Sequence, residues 1–213
     1  MTYRSSPSAG APVALATLLA PLALLALLAL LTIACRPEPE LSGRVAVEPG
    51  PPRVLEGTHY DGTPFDLTAL EEPFALVFFG FTSCPDVCPI TLGNLDRARE
   101  VLGDNADRVA VVFASVDPPR DTLDQIGRYV RAFDAEAYGV RLDEQQLART
   151  VESFGLVVEA QPPFDPEKPD NYTVDHTATL FLVDGEGRVV LTYPAYTDPA
   201  LIAGDLHQLI DRL

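Results

Sequence analysis

Two apolar runs decide most of what this chain can fold into. PFALVFFGF, from Pro73 to Phe81, and RVAVVFASVD, from Arg108 to Asp117, are β-rich and of strand length, the first without a polar side chain and the second apolar from Val109 to Ala114. An alternating strand can leave one face in water, whereas a continuous apolar one has to be covered on both faces. The sequence supplies helices for that cover. Between the runs, Leu92, Leu95 and Leu102 recur on one helical face, with Gly103 as a stop. DTLDQIGRYVRAFD places Leu123, Ile126, Val130 and Phe133 at helical spacing, and DEQQLARTVESFG opens on Asp143 with Gln146 as its capping-box partner. DPALIAGDLHQLIDRL ends the chain as a helix capped by Asp198, with Pro199 in its first position.

The remaining segments complete a sheet. GTPFDLTAL has the turn residues and alternation of a short hairpin strand, and HTATLFLVDGEGRVVLTYP reads as two strands turning through DGEG. The proline-rich stretch from Leu156 to Asp175 reads as a loop or loose hairpin. Strands alternating with helices, followed by a hairpin and a last helix, define an α/β sandwich around a mixed central sheet. A cysteine pair directly after the first buried strand, at the opening of the first helix, is the thioredoxin-like arrangement.

From Ala11 to Ala34 no residue carries a charge, and Arg4 is the only charged side chain before that run. This is the pattern of an export signal, and the run is also long enough to span a bilayer. LTIAC, ending at Cys35, resembles the lipobox of bacterial lipoproteins, in which the signal is cut before the cysteine and the cysteine is lipidated; Thr32 stands where leucine is more typical. Two anchors stay open, a lipid on Cys35 or an uncleaved N-terminal helix. Either one tethers the rest of the chain to the extracytoplasmic, periplasmic face of a bacterial membrane. The expected organisation is a signal or anchor over residues 1–35, a proline-rich flexible tether over 36–52 and a folded domain over 53–213. With 31 acidic and 15 basic residues the net charge is −16, which repels phosphate and excludes nucleic acid as a partner. An acidic surface favours basic partner surfaces instead.

The chemistry is concentrated in GFTSCPDVCPITL, from Gly80 to Leu92, where Cys84 and Cys88 stand in positions i and i+4. On one helical face both sulfurs reach the same metal ion or each other, and a helix N-terminus favours thiolate. A plain stabilising disulfide is the blandest explanation, but it would close a tiny loop and remove little unfolded-state entropy. Redox catalysis of the thioredoxin kind normally places two residues between its cysteines, and here there are three. Nor is there a proline before the facing strand; VDHTATLFLVD has His176 in that region. A peroxidase threonine would stand three residues before the cysteine, whereas Thr82 stands two before Cys84. His59 and His207 read as surface residues. His176, at the entrance to a buried strand, is aimed at the two thiols if the sheet is thioredoxin-like. Two soft sulfurs and one imidazole suit Cu(I), while zinc would require a fourth ligand.

Three blocks, FGFTSCPDVCPITL, VDPPRDT from Val116 to Thr122 and YTVDHTATLFLVD from Tyr172 to Asp184, resemble the signatures of the Sco/SenC family in order and separation. The resemblance implies a membrane-tethered, thioredoxin-folded copper-binding protein that helps assemble the dinuclear copper centre of cytochrome c oxidase. Carried over by position, Cys84, Cys88 and His176 are copper ligands, for Cu(I) and also for Cu(II). The same two cysteines form the redox-active pair and must be reduced to bind copper. The implied role is metallochaperone rather than enzyme, with thiol–disulfide reduction of the oxidase cysteines, or redox defence, as the alternative. The implied partners are the copper-centre subunit of the oxidase, other copper chaperones or a thiol reductant, and the membrane through the N-terminus. Asp86 and Asp117 are candidates for tuning the site from behind the ligands; the plainer alternative leaves Asp86 solvated and Asp117 capping a turn. The segment ahead of His176 is expected to be mobile without copper and to order when the metal draws the histidine in.

Overall fold

The two apolar runs become adjacent central strands. The computed structural model describes residues 40–45 and 50–213. Its strands are β1 (Arg44–Val45), β2 (Glu56–His59), β3 (Pro64–Asp66), β4 (Phe74–Gly80), β5 (Val109–Ser115), β6 (Tyr138–Arg141), β7 (Val158–Ala160), β8 (Val174–His176), β9 (Thr179–Asp184) and β10 (Val189–Pro194). The α-helices are α1 (Val87–Leu102), α2 (Leu123–Val130), α3 (Glu144–Phe154) and α4 (Pro199–Ile210). Eight strands share one sheet in the order β1-β10-β9-β4-β5-β6-β2-β3, while β7 and β8 pair by themselves. β4, β5 and β6 run parallel and the remaining neighbours antiparallel, so the sheet is mixed as expected.

Every residue of β4 and β5 is buried, and strand alternation explains how both faces are filled. Gly80 faces Cys88 of α1. Phe79 points the other way, its ring 5.0 Å from that of Phe154 on α3 and 5.9 Å from that of Phe181. The register runs in step from Phe74 opposite Val109 to Gly80 opposite Ser115. Both strands therefore end at one edge, where a parallel sheet presents its loops for binding.

Local signals set the helix ends. α1 stops at Gly103, whose φ of 55° lies in a region that favours glycine. α3 begins with the Asp143–Gln146 capping box, and α4 begins at Asp198 with Pro199 following. α2 has a second capping box, Thr122 with Gln125. It ends at Val130, short of the Phe133 that its periodicity suggested. β6 was not expected: its four residues are too few to show a strand period.

The expected tether contributes to the fold. The compact unit runs from Leu41 to Leu213, and Arg44 and Val45 pair with Thr192 and Leu191 of β10. The buried Asp205 of α4 accepts the Ser42 and Gly43 amides, each at 2.8 Å, and the Tyr193 hydroxyl at 3.1 Å. A two-residue strand needs no hydrophobic period, so composition alone concealed it. Replacing Asp205 with alanine should cost about 2–4 kcal/mol, because the buried Gly43 amide and Tyr193 hydroxyl lose a charged acceptor. Denaturant unfolding measures that loss, and amide exchange at Ser42 and Gly43 should accelerate; unchanged exchange would contradict the assignment. The apolar run from Ala11 to Ala34 and Cys35 lie outside the described residues. Among the described residues no helix is long and apolar enough to cross a membrane.

Candidate metal centre

The site grows out of the shared edge of β4 and β5. Beyond β4, the Thr82 amide and hydroxyl donate to the Asp121 carboxylate at 3.0 and 2.6 Å, and the Ser115 hydroxyl donates to it at 2.6 Å. Asp121 is 1% exposed, so one buried carboxylate ties the exits of two parallel strands together. The Cys84 amide then turns back to the Phe81 carbonyl at 3.1 Å. Asp86 stands at the N-cap of α1, exposed and making no side-chain capping bond. Cys88 follows in the first turn, fully buried beneath the end of β4. Only glycine at position 80 leaves room for it, since a Cβ there would lie 2.6 Å from the Cys88 sulfur.

His176 arrives from the opposite side. It ends β8, opposite Val158 of β7, and β9 begins a few residues later. Its Nδ1 lies 3.0 Å from the Val174 carbonyl. A carbonyl only accepts, so Nδ1 carries the hydrogen and Nε2 presents its lone pair. That Nε2 lies 3.9 Å from the Cys88 sulfur, and the Phe81 ring meets the imidazole edge-on with centroids 5.6 Å apart. Ligand bonds of about 2.3 Å to sulfur and 2.0 Å to nitrogen, the zinc values, hold two ligands of one ion at most about 4.3 Å apart. The Cys88–His176 separation fits within that limit.

Cys84 and Cys88 are both free, buried thiols, near enough for Cys84 to act on the Cys88 thiol. Burial first, and then the neighbouring Cys84 thiol, push the Cys88 thiol well above its ordinary range. This reverses the expectation of a helix-favoured thiolate. A helix end is worth about 0.3–1 kcal/mol, less than the 1.36 kcal/mol of a single pKa unit, so burial wins. Among the described residues no three His, Cys, Asp or Glu side chains are already drawn into a closed metal shell. Cys88 stands between Cys84 and His176, beside the first and 3.9 Å from Nε2 of the second.

The other sequence candidates fall elsewhere. Asp117, 2% exposed, turns to Arg120 and to the Tyr172 hydroxyl, 2.7 Å away, rather than to a sulfur. His59 packs on Tyr60 and Tyr138, and His207 meets Asn105. Sequence reasoning missed Asp121 and Arg120. Both lie within VDPPRDT, but their partners are distant in sequence, so only the motif as a whole pointed to them.

A thioredoxin-like domain carrying a buried dithiol beneath a histidine defines the class. The SCO1/SenC family model matches residues 55–211, and the chain belongs to that family. An SCO2-like protein of Rickettsia conorii is 31% identical over 155 residues, 71% of this chain and 75% of that protein. Among solved structures, Bradyrhizobium japonicum ScoI with copper bound is 32% identical, with a TM-score of 0.67, covering 75% of this chain and 99% of that one. Apo Sco1 of Thermus thermophilus, solved in solution, is 36% identical, with a TM-score of 0.70, covering 80% and 97%.

Proposed function

We propose that this protein is a copper metallochaperone, held at the extracytoplasmic face of a bacterial membrane, whose cargo is Cu(I) and whose ligands are Cys84, Cys88 and His176. Its client, on the family resemblance, is the copper-centre subunit of cytochrome c oxidase. The observation that carries this reading is the His176 Nε2 facing the Cys88 sulfur at 3.9 Å. A dithiol enzyme needs no imidazole there, whereas two soft sulfurs and one nitrogen are a low-coordinate set suited to Cu(I). The copper-bound ScoI relative supports the choice of metal.

A second reading has its own observation: the two thiols are free and neighbouring, a pair suited to disulfide exchange with a partner. The two roles separate in a strain lacking the gene. Oxidase activity should return on adding copper; return on adding a thiol reductant, but not copper, would transfer the function to reduction of the oxidase cysteines.

The raised Cys88 pKa fixes the sign of a pH dependence. The thiol is protonated at neutral pH, so copper entry has to release that proton, and raising the pH favours binding. Apparent Cu(I) affinity should rise by about tenfold per pH unit for this thiol alone, read by competition with a chelator of known protonation. An affinity flat between pH 6 and 8 would contradict Cys88 as a ligand.

A further inference from the structure

The turn after β5 reaches across to the segment that carries His176. The Asp117 carboxylate forms an ion pair with Nε of Arg120. The opposite side of that guanidinium donates to two backbone carbonyls, Asp170 at 3.0 Å and Tyr172 at 2.8 Å. Its Cζ stands 3.6 Å from the centroid of the Tyr172 ring and 5.5 Å from that of Phe81, and Phe81 is the ring that meets the imidazole. The Tyr172 hydroxyl closes the circle on Asp117. Burial and that carboxylate hold the phenol up to about 12, so it stays a donor at any physiological pH.

From this geometry we infer that Arg120 is a positioning residue for the third copper ligand: it latches the Asp170–Tyr172 backbone and the Phe81 ring so that His176 stands over Cys88 before the metal arrives. This deepens the proposed copper site and rests on that reading. Two features make the latch specific to arginine. The planar guanidinium bonds the carboxylate through Nε and both carbonyls through Nη1 while its face lies over an aromatic ring; a lysine ammonium keeps the charge but has neither the two separated donors nor the face. Arg120 is also 12% exposed in its side chain, so water competes little for its bonds to Asp117 and Tyr172, while the Asp170 carbonyl is exposed. The fixed point lies only a few residues ahead of His176, and the β7–β8 ladder fixes the imidazole's own residue opposite Val158. The latch therefore replaces the expected copper-driven ordering with a histidine held in advance, so that little ordering entropy is subtracted from copper affinity.

The test uses the full chain in detergent, with Arg120→Ala, Arg120→Lys, His176→Ala and the Arg120→Ala/His176→Ala double variant. Cu(I) affinity is read by chelator competition. Arg120→Ala should weaken it about 10–100-fold, the usual effect of losing a group that orients a ligand. In the His176→Ala background the same change should cost less than about threefold, because the residue it positions is gone. X-ray absorption should show the nitrogen neighbour of copper weakened or lost in Arg120→Ala with both sulfurs kept. Arg120→Lys should resemble Arg120→Ala. An equal loss in both backgrounds, no loss in either, or full rescue by lysine would overturn the latch. If the parent itself fails to hold Cu(I), the copper reading fails, and the latch is judged without metal. Amide exchange across Tyr172–Thr177 should then be about tenfold faster in Arg120→Ala than in the parent, and equal rates would end the proposal.

Discussion

Replacing Cys88 with serine should remove tight Cu(I) binding and leave the domain folded. Serine offers a hard hydroxyl in place of a soft thiolate, so the loss should exceed about 100-fold, the upper end of what losing a mere orienting group costs. Cys84→Ser should do the same, and His176→Ala should fall in the same range because it leaves a two-sulfur site without its nitrogen. The costs to folding differ between these sites. Cys88 is 0% exposed, so a serine hydroxyl there is buried and costs about 1–3 kcal/mol without a good partner. His176 is half-buried at the end of a short strand, and its removal should hardly move the unfolding midpoint. Copper binding and stability therefore separate at His176. If His176→Ala binds Cu(I) as tightly as the parent, the imidazole is not a ligand.

Asp121→Ala should be the most damaging single change to the fold near the site. It strips a charged acceptor from the Thr82 amide, the Thr82 hydroxyl and the Ser115 hydroxyl, all at 3.0 Å or less. Hydrogen bonds to charged groups contribute about 1.5–3 kcal/mol each and do not add fully, so the expected cost is about 3–5 kcal/mol. At this chain length that corresponds to a melting temperature roughly 10 °C lower. Asp86→Ala is the internal control: Asp86 is exposed and makes no capping bond, so its loss should stay within about 0.5 kcal/mol. Equal melting of the two variants would contradict the role given to Asp121.

The contrast between these two aspartates shows what the sequence makes legible. Cys84, Cys88 and His176 could be singled out because soft sulfur and imidazole are few in the chain and chemically distinctive. The buried strands β4 and β5 were legible because seven consecutive buried residues each leave an unbroken apolar run. Asp121 and Arg120 carry no such mark. Their roles arise from partners 39 and 52 residues away, Thr82 and Tyr172, and an aspartate that joins two strands reads in sequence like one that caps a turn. The same limit hid β1, which is held by Asp205 from the far end of the chain. The thiol chemistry was legible in kind but not in sign, because burial at Cys88 depends on Gly80 lying directly above it.

The proposed site holds one copper on two sulfurs and one nitrogen. Titrating the reduced protein with Cu(I) against a competing chelator, then recording X-ray absorption at the copper edge, tests it most directly. A single Cu(I) per chain with two sulfur neighbours and one nitrogen is expected, the nitrogen vanishing in His176→Ala. A sulfur-only site in the parent, or copper lost entirely to the chelator, would contradict it.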